Sequence, residues 1–399
     1  MAQSLSNFDA VLKTAYGPAI KEQLNNDKAI LQRFDRSTDT YNYAGKNFTF
    51  PTHRSRNEGV GSRASNGTLP TAGQQGFASA VFPRKYTYGT IQIDGATMKA
   101  SQSDKAAFAR ALSTEMKGLL TDLKNEQDRM LFNDGLGTLA TCASGSNSTT
   151  FVVDSVRNLR VGQKIDVLLA SSGAVNSVGC SSATIATITA STLTITISGT
   201  TLAAYGSISS SYGVYVASSY GLEPYGIRAI IAATDTITDG LAGLAVASYP
   251  EWISKVTAQD AALTQLALQT MIDNVEDAGN GSPSLIVTTK GGLRAYGDLM
   301  AGQRLFTNMM KIDGGIDTPM FDKKPILADK YCTAGDWNFI DESNMVHLVL
   351  TDWEWGDDDG SVLKWVSGSD AVTAYLRKYD NVGCWARNAH GKLTGVTEA

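Results

Sequence analysis

The residues whose types could do chemistry are few. Gly59-Val60-Gly61 and Ala64 match the G-x-G-x-x-A spacing that holds a dinucleotide's pyrophosphate against a helix N-terminus. That chemistry needs an apolar strand before the glycines and a helix after them. Here Arg54-Ser55-Arg56-Asn57-Glu58 comes before, and Thr68-Leu69-Pro70 follows. Proline cannot continue the required helix, and no G-K-[ST] occurs, so nucleotide binding is not expected. His53, His347 and His390 stand apart, with no H-E-x-x-H and no G-x-S-x-G elbow. Cys142, Cys180, Cys332 and Cys384 form no CxxC pair. Four cysteines leave three pairings open, and reduced, buried thiols are the expectation. Asp352, Glu354, Asp357, Asp358 and Asp359 run up to Gly360 like a calcium loop. The EF-hand register would place Trp355 first and Val366 last, and neither can coordinate a cation. A solvated turn, or a charge facing a neighbouring chain, fits better. No catalytic, cofactor-binding or metal-binding residue is assigned.

The elements that would position any site read as a mixture of α and β. Over 7–34, apolar groups at Phe8, Val11, Leu12, Tyr16, Ile20, Leu24 and Ile30 recur at helical spacing, broken at Gly17-Pro18. Asn47-Phe48-Thr49-Phe50, Tyr86-Thr87-Tyr88 and Ile91-Gln92-Ile93 alternate as strands do. The parity slips across Gly89, which predicts a β-bulge there. Phe108, Leu112, Met116, Leu119, Leu120, Leu123, Met130 and Leu131 predict a long helix over 103–134, stopped at Gly135.

Composition then changes. Between Thr141 and Leu222 only Asp154, Arg157, Arg160, Lys164 and Asp166 are charged, and Leu193-Thr194-Ile195-Thr196-Ile197 alternates. This predicts an inserted all-β unit over 141–222. Beyond it the pattern predicts helices over 260–277 and 290–301 and strands over 284–288, 324–329 and 337–341. A strand-rich end over 345–396 follows, with Asp357–Gly360 as a hairpin turn.

The 399 residues allow two or three domains at roughly 150 residues each. The net charge of −5 argues against a surface that grips nucleic acid as a whole. The start, MAQSLSNFDAVLKT, lacks the basic and apolar blocks of a secretory signal, and no apolar run reaches membrane-spanning length. A soluble protein made in a cytoplasm is expected.

The segment 54–81 is too long for an ordinary connection and carries little secondary-structure signal. With strand patterns at both ends, it reads as an extended hairpin. Arg54, Arg56, Arg63, Arg84 and Lys85 cluster around it, and Val60, Leu69 and Phe77 are its apolar groups. Three such groups form no core of their own, so another subunit is expected to bury them. Residues 1–140 are net positive and the remainder net negative, which suits contact between copies of one chain. All eight residues are candidate inter-subunit contacts.

An arm, an extended loop and a long helix, in that order, resemble the tailed-bacteriophage major capsid proteins of the Hong Kong 97-type fold. Gly240-Leu241-Ala242-Gly243 before Tyr249-Pro250-Glu251-Trp252 is similar to a segment of that family. So are Ser284–Thr288 with its helix, Phe321–Asp329, and the closing strands over 376–395. The resemblance implies an α+β phage major capsid fold: an N-terminal arm (1–44), an extended loop (45–99), a spine helix of the peripheral domain (100–140), an inserted β-domain (141–222), and the remaining peripheral and axial domains (223–399). It implies hexamers and pentamers forming an icosahedral shell around double-stranded DNA, without sequence-specific binding or a membrane. Assembly would take place in a bacterial host cytoplasm, with portal, scaffolding or decoration proteins as further partners. Residues 54–81 contain no lysine, so the loop-lysine crosslink of some relatives is not expected at the tip. An encapsulin-like compartment shell and a β-rich surface adhesin are the alternative readings.

Overall fold

The structure, a computed structural model, describes residues 30, 33–36, 47–95, 105–145, 149–175, 179–199, 208–237, 239–279, 281–302, 309–312, 316–357 and 360–398. The arm expected over 1–44 therefore lies almost wholly outside the described residues. Along the chain come β1 (Asp35–Arg36), β2 (Asn47–Ser55), β3 (Gly76–Pro83), β4 (Lys85–Asp94) and α1 (Lys105–Leu131). Six strands follow: β5 (Thr138–Gly145), β6 (Thr150–Val153), β7 (Lys164–Leu169), β8 (Cys180–Thr189), β9 (Thr194–Ser198) and β10 (Tyr212–Val216). Then come α2 (Ile227–Ile230), β11 (Lys255–Ala258), α3 (Gln265–Gly279), β12 (Leu285–Thr288), α4 (Lys290–Gly302), β13 (Met309–Ile312), β14 (Ile316–Phe321), β15 (Lys324–Ala328) and β16 (Trp337–Ile340). The last four are β17 (Met345–Trp355), β18 (Lys364–Trp365), β19 (Ala371–Cys384) and β20 (Gly391–Thr394).

The chain divides into two compact units, one built on Lys85–Gly226 and Val349–Asp380, the other on Phe34–Arg84, Ile227–Leu348 and Asn381–Ala399. In the first unit the 27 residues of α1 make a rod about 40 Å long. Met116, Leu119, Leu120 and Leu123 fall on one face of it. They pack on Ile91 of β4, Val372, Ala374 and Leu376 of β19, and Trp353 of β17. Strands β4 and β19 pair antiparallel without interruption from Lys85↔Asp380 to Asp94↔Ala371. The bulge expected at Gly89 is therefore absent. Odd residues of β4 face the helix throughout, Gly89 among them, and Tyr86 and Tyr88 point to the other face. A Cβ on Gly89 would lie 2.7 Å from Leu123 Cδ1 and 2.9 Å from Leu119 Cδ1, so glycine is there to let the helix approach.

Strands β5 to β10 close into a barrel in the order β10-β5-β6-β9-β8-β7. The alternating apolar residues of each strand fill it: Phe151, Val153, Ile165, Val167, Ile185, Ile195, Ile197 and Val214 are all buried. The carboxylate of Asp166 accepts N–H groups of Ser182 at 2.7 Å and Ser218 at 2.8 Å, which ties β8 and the loop after β10 to β7. The join between α1 and the barrel is polar and buried. Arg129 pairs with Glu223, both 4% exposed, and Asn133 Nδ2 donates to Thr138 O at 2.9 Å. In the later part of this unit the Gly360 N–H donates to Asp357 O at 2.8 Å, so a turn forms there. It is not the hairpin turn expected from sequence, because the strands before and after it, β17 and β18, each pair with β19 rather than with one another. Asp358 and Asp359 are outside the described residues.

The second unit is built on a seven-stranded mixed sheet in the order β11-β20-β16-β12-β15-β14-β13. All four residues of β12 are buried, as a central strand covered on both faces requires. Leu268, Met271, Ile272 and Val275 of α3 and Tyr296 and Met300 of α4 share a core with Ile286, Ile326, Trp337, Phe339 and Leu393. Helix α3 begins later than the sequence pattern implied. Thr264 Oγ1 accepts the Ala267 N–H at 3.1 Å as a cap, and Asp260 sits at φ 44°, outside helical geometry. Arg387, wholly buried, donates through Nε to Ile230 O at 2.8 Å and through Nη2 to Ala232 O at 3.1 Å, capping α2.

Candidate functional site

Strands β2 and β3, both in the second unit, pair antiparallel from Asn47↔Pro83 to Ser55↔Gly76. The partner of β2 is thus Gly76–Pro83, which the sequence pattern did not mark as a strand. The Tyr86–Ile93 run expected to close the hairpin belongs instead to the β4–β19 sheet. Burial fades along the hairpin. Phe48, Phe50, Ala80 and Phe82 are buried at its root, with the Phe50 ring 4.1 Å from that of Trp385. From Pro51 outward and back to Ser79 the residues are exposed or half-buried.

Two links fix the angle at which the hairpin leaves. Val81 N–H donates to Ala242 O at 2.8 Å. Arg54 is held by Glu251 at 3.2 Å, by Ser248 O at 3.4 Å and by the face of Tyr249 at 4.8 Å. The Gly240–Trp252 segment is therefore the hairpin's anchor within its own unit.

Beyond the anchor the two limbs touch through glycines. A Cβ on Gly73 would lie 2.5 Å from Asn57 Oδ1 and 3.1 Å from Gly59 N, so both limbs need bare backbone there. This explains Gly59 without a nucleotide. The tip closes in a turn, with Gly67 N–H donating to Ala64 O at 2.9 Å and Asn66 at φ 66°. Arg63 Nε donates to Thr68 O at 3.1 Å across it.

On this ribbon Val60 is 72% exposed, Leu69 82% and Phe77 69%. Arg56 and Glu58 are exposed and 3.7 Å apart. Arg84 is half-buried at the root. Lys85 departs from the expectation that it faces a neighbour. It is buried in the first unit, donates to Gly221 O and lies 5.2 Å from the centre of the Tyr225 ring. Burial pulls its ammonium down to about 8, with the nearby Glu223 opposing the shift. Of the eight candidate residues, then, Arg56, Val60, Arg63, Leu69 and Phe77 are presented outward on the free part of the ribbon. Arg54 is largely engaged by its own anchor.

Elsewhere among the described residues the reacting groups are dispersed. His347 and His390 are buried and His53 is exposed on β2, 2.6 Å from Gln75 Oε1. All four thiols are buried and unbridged. Among the described residues no three His, Cys, Asp or Glu side chains gather as a metal site. A pocket of about 300 Å³ between β11 and α3 is lined by Thr257, Gln259, Thr264, Leu266, Thr270, Met271 and Asn274, among others, and by no titratable group. A second exposed surface escaped the sequence reading. Tyr86 and Tyr88 are 51% and 54% exposed on the outer face of the β4–β19 sheet, edge-on to Tyr379. Their alternation on β4 is the signal that could have found this surface.

No protein-family model matches the chain. No curated protein matches it either. Solved structures do. The chain is similar to one from the cyanophage A-1(L) capsid asymmetric unit, with a TM-score of 0.54 and 13% identity over 92% of each chain. A chain from the capsid of a native GTA particle is similar at TM-score 0.47 and 10% identity, over 92% of this chain and 90% of that one. The SrpI encapsulin complex from Synechococcus elongatus PCC 7942 follows at TM-score 0.41 and 9% identity, over 81% and 78%. Identity this low speaks for architecture rather than kinship of residues. A projecting hairpin and a long helix laid on a sheet agree with it: the chain has the fold of the tailed-phage major capsid proteins.

Proposed function

We propose that the chain is a major capsid protein whose copies assemble as hexamers and pentamers into an icosahedral shell enclosing double-stranded phage DNA. The observation that carries this reading is the fold, shared with a cyanophage capsid chain over 92% of both chains. In this reading α1 is the spine helix of the peripheral domain, the β5–β10 barrel is an inserted domain, and the seven-stranded sheet is the axial domain. The hairpin is the element that reaches a neighbour.

The activity is assembly, and its physics is geometric. A ribbon that exposes Val60, Leu69 and Phe77 gains by burying them, and its own unit leaves them in water. Stable shells need interfaces of roughly 1,000 Å² or more, repeated at every subunit. The net charge of −5 suits an inner surface that tolerates DNA without binding it tightly. Among the described residues no helix is long and apolar enough to cross a membrane. The expected location is the virion, after assembly in the host cytoplasm, with portal, scaffolding or decoration proteins as further partners.

Electron microscopy of the purified protein tests the reading. Closed shells, or rings of five and six subunits, are expected. A monomer at every concentration would overturn it.

A further inference from the structure

We propose that Asn66, at the tip of the hairpin, is a self-modification site. In the free subunit its side-chain amide converts to aspartate and isoaspartate through attack by the Gly67 nitrogen, and burial against a neighbour stops the reaction. The shielding rests on the shell reading above; the site itself does not.

An asparagine followed by glycine is open to this chemistry, because glycine has no Cβ to hinder the approach of its nitrogen to the asparagine side chain. The chain has two such pairs, Asn66-Gly67 and Asn280-Gly281. The structure separates them. Gly281 is buried, and a Cβ on it would lie 2.5 Å from Ala389 Cβ, so its backbone is packed in place. Asn66 and Gly67 are both exposed, at the end of the ribbon far from its buried root. Asn66 sits at φ 66°, a left-handed conformation that asparagine tolerates. The turn is closed by the Gly67 N–H donating to Ala64 O at 2.9 Å. An exposed bond of this kind opens locally and frees the nitrogen.

The step needs only hydroxide and water. The Gly67 nitrogen gives its proton to hydroxide and attacks Cγ of Asn66. The N–Cγ bond forms, the Cγ–Nδ2 bond breaks, and Nδ2 leaves as ammonia with a proton from water. Water then opens the cyclic imide. Opening at Cγ leaves aspartate; opening at the backbone carbonyl leaves isoaspartate. Arg63 keeps a cation beside the turn, its Nε donating to Thr68 O at 3.1 Å and its Nη1 to Ser62 O at 3.1 Å. A cation there favours both the anionic nitrogen and the negative oxygen that forms at Cγ.

The product changes the tip in two ways. Between Gly61 and Gly73, Arg63 is the one charged side chain, and a carboxylate at position 66 cancels it. Isoaspartate also lengthens the backbone by a methylene, which breaks the turn. A tip altered in this way no longer presents the surface that an unmodified neighbour meets. The reaction therefore retires subunits that stay unassembled, while a subunit in a shell keeps its amide.

Peptide mapping tests this. The purified chain is held in mildly alkaline buffer, digested with trypsin, and the Ala64–Arg84 peptide is followed by tandem mass spectrometry. Aspartyl and isoaspartyl forms are expected at Asn66, accumulating faster at higher pH, while Asn280 keeps its amide. Gly67→Ala should slow the change at Asn66 by on the order of tenfold. When an aged stock is assembled, the acid forms should stay in the unassembled fraction, and Asn66 in the particles should remain an amide on further incubation. An Asn66 that keeps its amide while Asn280 loses its own, or that changes equally fast in the Gly67→Ala chain, would overturn the site and leave the shell reading intact. Equal shares of acid in particles and free subunits would overturn the shielding. A chain that never assembles would overturn the shielding together with the shell reading, and acid at Asn66 would still establish the site.

Discussion

His390 shows how a single buried group sets the conditions under which this subunit holds together. Its Nδ1 accepts the Asp341 backbone N–H at 3.2 Å, and the ring is completely buried. The Asp341 carboxylate is occupied elsewhere, by Ser343 at 2.6 Å and Asn344 at 2.8 Å. Burial, opposed only weakly by Asp341, therefore lowers the imidazole from 6.5 to about 4. The sign follows. Between those values the unfolded chain binds a proton that the folded one excludes, so the stabilisation is complete above pH 6.5 and falls as pH drops toward 4. The loss is about 3 kcal/mol over that window. Denaturant melts at stepped pH should show it, and His390→Asn should flatten the slope; an unchanged slope would contradict the assignment. Glu223 is the second such group. Glu223→Gln leaves the buried guanidinium of Arg129 with Glu126 as its one carboxylate partner and should cost about 1.5–3 kcal/mol, read from urea unfolding. Neither role was visible in sequence. Burial and partners of isolated residues depend on contacts between distant segments, such as 341 with 390 and 129 with 223.

At the scale of elements, helix α1 shows what periodicity reveals. Its apolar stripe was legible because Met116, Leu119, Leu120 and Leu123 meet one sheet face at 3.6 residues per turn. What it lies on was not legible, and Gly89 is where that omission misled. Read alone, the glycine looked like a break in strand parity. In the structure it is the low point over which Leu119 and Leu123 pass. Gly89→Val should therefore overpack the join and cost about 1–3 kcal/mol, measured by thermal unfolding. The hairpin tells a similar story. Its length and its exposed apolar residues were legible, but its second strand was not. Gly76-Phe77-Ala78-Ser79-Ala80 alternates small and exposed side chains, and only Ala80 and Phe82 turn inward. Leu69→Ser should leave subunit stability within about 0.5 kcal/mol of the parent, because the side chain is 82% exposed. The same change should slow or weaken assembly, as light scattering would report.

For the whole molecule, the fold and the candidate surface support one account. The first unit gives a rod on a sheet and a closed barrel; the second gives a mixed sheet from which a ribbon projects. The order of those parts could be read from the chain because each has its own pattern: helical stripe, charge-poor alternation, apolar central strand. The exposed tyrosine face could not be read, because it is assembled from β4 and β19, about 280 residues apart in sequence. The central claim is that the ribbon is made for another copy of the chain. Sedimentation velocity of the intact chain beside a chain lacking Arg56–Gly76 tests it most directly. The account predicts fast-sedimenting rings or shells for the intact chain, and a folded, slowly sedimenting subunit with native circular dichroism for the shortened one. Particles of the same size from both chains would contradict it.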